Sequence, residues 1–260
     1  MNVIYEINPP KILHDSVINI NTINHEIEKF LFRTQVLSKL TNFIHITDSV
    51  LGIPRISSIH GAALIAENLK NDQLKISCSV RTRDRNINSL IQFATQSVYL
   101  KIQDLLFIMG DKPQLKNKLT DNTQLSKPTD VIKILNSLGY SDLLNLNLSI
   151  PNKIVNINNF IKKTQANPYG FVTQSINSVQ EVKDIKGMLE PSPIKLIPCI
   201  MLPSEKNSQA AKMIGLDWKE YEDNVLEFIL QVGKLVDHIL ITSPNSFSEG
   251  VDLLSKIKSL

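Results

Sequence analysis

Glycine is scarce in this sequence, with 9 residues among 260. No Gly-x-Gly-x-x-Gly and no Walker loop occurs, so the phosphate-binding loops of Rossmann and P-loop domains are absent. Cysteine is rarer still, since Cys78 and Cys199 are the only two and cannot make a disulfide framework. Each stands in a predicted strand, where we expect a small buried apolar side chain.

Charge of one sign is also lacking, because 28 Lys and Arg oppose 25 Asp and Glu, a formal net charge of +3. Composition therefore gives no reason to expect nucleic acid as a partner. The longest apolar runs, such as Leu105–Met109, are too short to span a bilayer, and the start Met1–Glu6 does not read as a signal peptide. We expect a cytoplasmic protein without a membrane partner. The five histidines show no metal-ligand spacing, so no metal site is expected.

What the chain does contain is a regular alternation of strand and helix patterns. Short runs rich in Ile, Val, Leu and Phe predict eight buried parallel strands. They are Val3–Ile7, Phe43–Thr47, Leu74–Ser79, Leu105–Met109, Leu144–Ser149, Gly170–Gln174, Lys195–Ile200 and His238–Thr242. Helical patterns follow them, at Thr22–Leu40, Ser57–Leu69, Ile87–Lys101, Pro128–Leu138, Asn156–Lys163, Val179–Met188, Trp218–Leu235 and Ser246–Ile257.

The order of these elements predicts one (β/α)8 barrel domain over residues 1–260. Asp217 and Glu220 have the spacing of a capping box at the start of the seventh helix. The longest polar connection, Asp111–Ser126, follows the fourth strand and is expected on the carboxyl-terminal face of the barrel. Barrel enzymes have their active sites on that face, so polar residues at strand ends are the candidates for chemistry.

Three strand ends carry such residues, each with a plainer interpretation beside the functional one. Glu6 ends the first strand, where it either faces a polar cavity with a raised pKa and acts as an acid or simply reaches water. Gly110 and Asp111 follow the fourth strand and suit either a close ligand contact or a turn. Gln174 ends the sixth strand, where its amide suits the edge of a pterin or is an ordinary loop residue.

Three arginines, Arg81, Arg83 and Arg85, follow the third strand. On the ligand face they would bind the phosphates of a dinucleotide or a polyanionic pterin tail. The alternative is a solvated loop with internal Arg–Asp pairing. The sequence leaves both open.

Taken together, the strand ends resemble the methylenetetrahydrofolate reductase family. Four motifs carry the likeness, in the family's order and along nearly the whole chain: Glu6 with Pro9-Pro10, Gly110-Asp111, Thr173-Gln174 and Leu202-Pro203. The resemblance implies an oxidoreductase of one-carbon metabolism and methionine biosynthesis. It would reduce a methylene-tetrahydropterin, tetrahydrofolate or a relative, to the methyl form.

The resemblance also implies roles for individual residues. Glu6 would be the general acid that opens the pterin's five-membered ring. Asp111 would stabilise the resulting cation and contact the pterin, and Gln174 would hydrogen-bond the pterin edge. FAD, reduced by NADH or NADPH, would carry the hydride. The cofactor contacts would be Thr47, Asp48, Gly110, Asp111 and Lys163.

Two other hypotheses remain beside the reductase. Met109, Asn156 and Lys75 stand where the family has a basic residue, an acidic residue and a histidine. These differences on the flavin side motivate a non-catalytic pterin-binding or partner subunit on the same barrel, alone, as a homo-oligomer or with a second chain. An unrelated barrel enzyme, such as an aldolase or a methyltransferase, is disfavoured. No lysine stands clearly at the end of a buried strand to form a Schiff base, and no phosphate-binding glycine pair follows the last strands.

Overall fold

Eight parallel strands close into a barrel in the computed structural model, which describes residues 1–14, 17–112, 126–190 and 192–260. Each strand pairs with its neighbours in the chain, and the first pairs with the last. The strands are β1 (Asn2–Ile7), β2 (Phe43–Ile46), β3 (Lys75–Arg81), β4 (Asp104–Ile108), β5 (Asn145–Ile150), β6 (Gly170–Ser175), β7 (Lys195–Met201) and β8 (His238–Thr242). The predicted (β/α)8 barrel is confirmed.

Helices surround the barrel and connect its strands. They are α1 (Ile20–Leu37), α2 (Ser58–Asn68), α3 (Ile87–Tyr99), α4 (Pro128–Ser137), α5 (Ile157–Thr164), α6 (Val179–Leu189), α7 (Ser208–Ile214), α8 (Val225–Gly233) and α9 (Phe247–Lys258). Short polar side chains begin many of them by accepting a hydrogen bond from a first-turn N–H, as Asn19 does for α1 and Ser178 for α6. Within the described ranges, no helix is long and apolar enough to cross a membrane.

The seventh predicted helix begins later than the sequence suggested. Residues 218–224 form turns, and α8 starts only at Val225, with Asn224 as its cap. The Glu220 carboxylate accepts a hydrogen bond from the Val179 N–H across the structure, so the predicted capping box does not form. Helix α7 and a short hairpin that pairs Leu13–His14 with Val17–Ile18 were not predicted. Residues 113–125 of the predicted polar connection lie outside the described residues.

Two apolar layers hold the fold together. The larger packs the outward faces of the strands against the helices, as at Ile44, Phe107 and Phe171, all fully buried. The smaller fills the lumen of the barrel with Ile4, Phe43, Leu106, Val172, Ile197, Cys199 and Leu240. Both cysteines are buried, as expected. Burial at about 25 cal/mol per Å² makes these two layers the dominant stabilising term.

Polar side chains also face the lumen, and nearly all are hydrogen-bonded there. The His45 imidazole lies between the Ser77 and Ser79 hydroxyls, each 2.8 Å from one ring nitrogen. The Asn145 amide donates to the Asp104 carboxylate at 2.6 Å. Because these groups are paired, they are tolerated inside an apolar barrel. Glu6 lies next to His45 in the strand register. It is nearer to the carboxyl-terminal mouth than Asp104, because Glu6 is the last residue but one of β1 and Asp104 is the first residue of β4.

Candidate active site

The carboxyl-terminal mouth of the barrel is organised around Glu6. The Glu6 side chain is partly accessible from the mouth but surrounded by protein, and burial raises the pKa of its carboxyl group. The Thr242 hydroxyl donates a 2.7 Å hydrogen bond to Glu6 Oε1, which opposes that rise by stabilising the charged form. Among the described residues no side chain pairs with Oε2, so this oxygen is available to a substrate.

A small cavity of about 70 Å³ opens beside Glu6, between the ends of β1 and β8. Its wall includes Tyr5, Asn8, Arg33, Ser243 and Asn245. Burial and the neighbouring Glu6 raise the pKa of Tyr5 to about 12, so this phenol keeps its proton. The cavity therefore combines a carboxyl group of raised pKa with neutral hydrogen-bonding groups and one cation.

Thr47 and Asp48, predicted to bind a cofactor, make contacts within the chain. The Thr47 hydroxyl donates to the Asn8 side-chain oxygen at 2.6 Å, which ties the end of β2 to that of β1. Asp48 is buried and accepts from Arg85 at 2.6 Å and from the Arg81 N–H at 3.1 Å. Both side chains are thus engaged in joining neighbouring loops.

Gly110 and Asp111 belong to the same set of loop contacts. Gly110 adopts a left-handed conformation, with φ of +79°, and a Cβ there would lie 2.7 Å from Arg81 Cγ. Asp111 Oδ2 accepts a hydrogen bond from the Leu51 N–H at 2.9 Å, and the Asp111 carbonyl accepts from Arg81. Leu51 itself has a left-handed φ of 59°, so these bonds hold a strained loop at the rim of the mouth.

The three arginines make contacts within the chain, as the second interpretation expected. They do so at least partly buried, however, and not in a solvated loop. Arg81 is 2 % exposed, and its guanidinium contacts Asp84 and two backbone carbonyls. Arg83 donates to the Gly110 carbonyl at 3.0 Å. Arg85 pairs with Asp48 and lies 4.5 Å from the centre of the Phe93 ring. These three cations connect the loops after β2, β3 and β4.

The remaining predicted site residues lie apart from this network. Lys163, on α5, donates to the Ser149 carbonyl near the end of β5, and burial lowers the pKa of its ammonium group. Gln174 is exposed beside a register irregularity between β6 and β7, and its amide makes no hydrogen bond to any described residue. Gln174 is therefore free to meet a ligand, whereas Lys163 is held against the barrel wall.

The residues predicted to bind FAD do not form an open cradle for it. The polar groups of Thr47, Asp48, Asp111 and Lys163 all hydrogen-bond within the chain, and Gly110 backs onto Arg81. We therefore derive no step through a flavin, and binding of FAD, NADH or NADPH stays a prediction. Within the described ranges, no group of three or more His, Cys, Asp or Glu side chains is placed to hold a metal ion.

A larger groove of about 330 Å³ lies at the opposite, amino-terminal end, between the ends of α6 and α8. Its charged residues are surface groups, such as Lys195 and Asp237, which pair at 3.2 Å. In this fold the amino-terminal face serves stability, and chemistry takes place at the other face. We therefore place the candidate site at the mouth, around Glu6.

Sequence reasoning missed Thr242, Tyr5 and Arg33. Thr242 ends the last predicted strand, so the closure of the barrel implied its position beside Glu6. Arg33 lies inside α1, and no motif singles it out.

The chain is similar in structure to several solved barrels. One is an aldolase described as QR15, with a TM-score of 0.56 and 12 % identity over 98 % of this chain and 93 % of that one. A tryptophan synthase alpha chain from Legionella pneumophila gives 0.58 and 10 % identity over 99 % and 90 %. The tryptophan synthase a2b2 complex of Pyrococcus furiosus gives 0.55 and 6 % identity over 99 % and 95 %. At such identities the likeness shows the fold alone.

No protein-family model and no curated protein matches the chain. The resemblance to methylenetetrahydrofolate reductases is wrong, because the similar structures named above are an aldolase and tryptophan synthases, barrels of another family. The predicted reduction of a methylene-tetrahydropterin with Glu6 as its acid is therefore wrong as well. The alternative of a non-catalytic pterin-binding or partner subunit is also not supported. The physical reason is that the motifs consist of short turn and loop residues, and Gly110-Asp111 serves here to hold adjacent loops.

Proposed function

We propose that this chain is an enzyme whose barrel mouth moves protons to and from a small polar substrate, with Glu6 as the acid–base group. The observation that carries the proposal is the Glu6 carboxyl group itself. This group is largely enclosed by protein at the end of a barrel strand, it opens onto a cavity, and its pKa is raised. A raised pKa keeps a carboxyl group protonated closer to neutral pH, which is what a general acid requires.

The contacts of Glu6 support this role. Thr242 holds Oε1, whereas Oε2 accepts no hydrogen bond from a described residue. A positioned carboxyl group transfers protons faster than a mobile one because its orientation is set before the substrate arrives. An acid whose only function was to reach water would need neither burial nor this bond.

For the reaction, we propose proton transfer next to a carbonyl group, as occurs in enolisation and in aldol-type cleavage. The carboxylate form of Glu6 would take a proton from carbon or from a hydroxyl group, and the acid form would return it. Gln174 is our candidate for a substrate contact, because its amide is exposed at the rim. Asp111 stays a prediction as a catalytic residue, since its carboxylate already holds Leu51.

Exchange of hydrogen for deuterium tests the proposal without knowledge of the full reaction. The purified chain is incubated in D2O with a panel of small hydroxy-ketones, hydroxy-aldehydes and keto-acids, and proton NMR reports loss of the signal next to the carbonyl. We expect exchange of at least one compound above the buffer rate. We further expect Glu6→Gln to lose about a hundredfold or more of it, the usual worth of general acid–base catalysis.

A matched control separates chemistry from folding. Glu205→Gln changes an exposed carboxylate in the turn before α7, away from the cavity, and should exchange at the wild-type rate. Absence of exchange across the panel, or equal exchange by Glu6→Gln and wild type, would contradict the proposal.

Assembly is also a proposal. The Pyrococcus furiosus structure is that of an a2b2 complex, so a barrel of this shape is able to work beside a second chain. Light scattering on the purified protein gives its mass in solution and distinguishes a monomer from a homo-oligomer.

A further inference from the structure

Arg33 is a cation at the edge of the Glu6 cavity. It projects from α1, and its guanidinium carbon lies 5.0 Å from the centre of the Phe247 ring. Within the described ranges, the ion pairs join other residues, and none involves Arg33. Stacking on an aromatic face fixes the guanidinium plane while leaving its N–H groups able to bind an anion.

The rest of the cavity wall supplies further donors. The Tyr5 hydroxyl is buried, with the residue 1 % exposed, and it makes no hydrogen bond of good geometry, although Ser243 lies close. The N-terminus of α9, a helix of 12 residues, follows at Phe247 and adds the positive end of a helix dipole. The Tyr5 hydroxyl lies near Arg33 and Ser243 of the cavity wall and packs against Gly250 of α9.

The loop that closes the cavity is held rigidly. Asn207 is fully buried, and its amide donates to the Leu202 carbonyl and the Ser243 hydroxyl, both at 3.0 Å. Its side-chain oxygen accepts from the Asn245 N–H, also at 3.0 Å. The Ser243 hydroxyl donates in turn to the Ser246 carbonyl at 2.7 Å. The cavity is therefore formed before any ligand binds, which lowers the entropic cost of binding.

Two acidic residues lie near the cavity, and a negative charge on either would repel a bound anion. Glu6 lies in the cavity wall, and burial raises the pKa of its carboxyl group, which disfavours the charged form. Glu249, in the first turn of α9, is not part of the cavity wall and lies towards Ser204 and Ser246. Arg33 is therefore the cation of the cavity wall, and no described carboxylate forms an ion pair with it.

We propose that this Arg33 pocket binds a small oxyanion, the carboxylate or phosphate of a substrate whose reactive end meets Glu6. The inference rests on the proposed function, because it assigns the substrate class of the same mouth. The cation, the buried phenol and the helix N-terminus each prefer an oxygen that carries negative charge. The small volume, about 70 Å³, suits one such group.

NMR titration of the full chain, labelled with 15N, tests the pocket without turnover. Inorganic phosphate and acetate are titrated separately, and the amide signals of Ser243 and of residues 245–248 are followed. We expect saturable shifts there with at least one of the two anions. Which anion binds distinguishes a phosphate substrate from a carboxylate substrate.

Variants connect the shifts to the residues. Arg33→Gln should weaken binding by about tenfold or more, the worth of a hydrogen bond to a charged group. Tyr5→Phe should weaken it by a smaller factor. Lys29→Gln is the matched control, since Lys29 lies on the same helix and pairs with Glu26 at 3.7 Å, and it should bind as wild type does. If Arg33→Gln does not fold, Arg33→Lys keeps the charge and should retain part of the affinity.

Saturation by neither anion, or equal affinity in wild type and both Arg33 variants, would overturn the pocket. Equal weakening by Lys29→Gln would show a general charge effect and would overturn it as well. Glu6→Gln should still bind the anion. Anion binding without deuterium exchange would therefore remove the proposed function alone, whereas exchange without anion binding would remove the pocket alone.

Discussion

The Thr242 hydroxyl donates a 2.7 Å hydrogen bond to Glu6 across the seam where the last strand of the barrel meets the first. Removal of this bond should raise the pKa of Glu6 further, because the bond favours the charged carboxylate. We predict that Thr242→Val moves the titration of Glu6 to higher pH, and that Thr242→Ser leaves it near the wild-type value. The 13C signal of the Glu6 side-chain carboxyl group reports both. An unchanged midpoint in Thr242→Val would show that the hydroxyl does not act on Glu6.

Glu6 and Thr242 are 236 positions apart in the sequence, so a local sequence pattern does not predict the hydrogen bond between them. Strand β8, His238–Thr242, has the predicted bounds because a short apolar run next to polar residues defines a buried strand. The predicted start of α8 is too early, because the spacing of Asp217 and Glu220 does not determine from which N–H groups their carboxylates accept hydrogen bonds. The pattern of the chain predicts elements, whereas partners follow only from the closed barrel.

Gly110 should be far less tolerant of a side chain than Gly139, although both are left-handed, with φ of +79° and +82°. A Cβ at Gly139 meets nothing within 4 Å, so Gly139→Ala pays only the backbone strain of about 1 kcal/mol. A Cβ at Gly110 would lie 2.7 Å from Arg81 Cγ, so Gly110→Ala must also displace a buried arginine. We expect a loss of about 3 kcal/mol in its free energy of unfolding. Urea titration compares the two, and equal losses would mean that Arg81 yields freely.

The Asp48–Arg85 pair should contribute to stability because it is buried. Its N···O distance is 2.6 Å, and the Asp48 side chain is 2 % exposed. Asp48→Asn leaves Arg85 without a countercharge, and a loss of about 3 kcal/mol is expected. Asp237→Asn breaks the exposed pair with Lys195 and should cost less than about 1 kcal/mol. Thermal and urea unfolding measure the stability of both variants. If Asp48→Asn lost as little as Asp237→Asn, the Asp48–Arg85 pair would not be a main source of the stability of these loops.

Asp104 and His45 give the fold opposed pH dependences. Burial raises the pKa of Asp104 to about 6. The folded chain then binds more protons than the unfolded chain between about pH 4 and 6, so stability falls as pH rises through that window. Burial lowers the pKa of His45 to about 4. The folded chain binds fewer protons between about pH 4 and 6.5, so this group makes stability rise with pH.

Asp104→Asn should remove the first effect and leave the second. Relative to wild type, the variant should gain free energy of unfolding between about pH 4 and 7, by up to about 3 kcal/mol. Urea titrations at several pH values measure the difference. A difference that stays constant with pH would mean that Asp104 titrates in the same range when the chain is folded and unfolded.

The sequence indicated Glu6 and Gln174 of the candidate site, and the rest of the site could not be predicted. Glu6 follows from the rule that barrel enzymes use strand ends, together with the cost of a carboxylate in an apolar strand. The arginines after β3 could not be assigned, because a charge run looks the same whether it is solvated or, like Arg81, buried against Ser49 and Asp111. Arg33 carries no signal in the sequence, since a lone arginine on a helix is ordinary.

Titration of the Glu6 carboxyl group tests whether Glu6 is suited to be the acid of this barrel. Its side-chain 13C signal, assigned by its absence from Glu6→Gln, is followed from acid to alkaline pH in the full chain. We expect a midpoint above the ordinary glutamate value of about 4.3, because the group is enclosed by protein at the mouth. A midpoint at the ordinary value would make Glu6 a plain surface carboxylate and would contradict its role as the acid of this barrel.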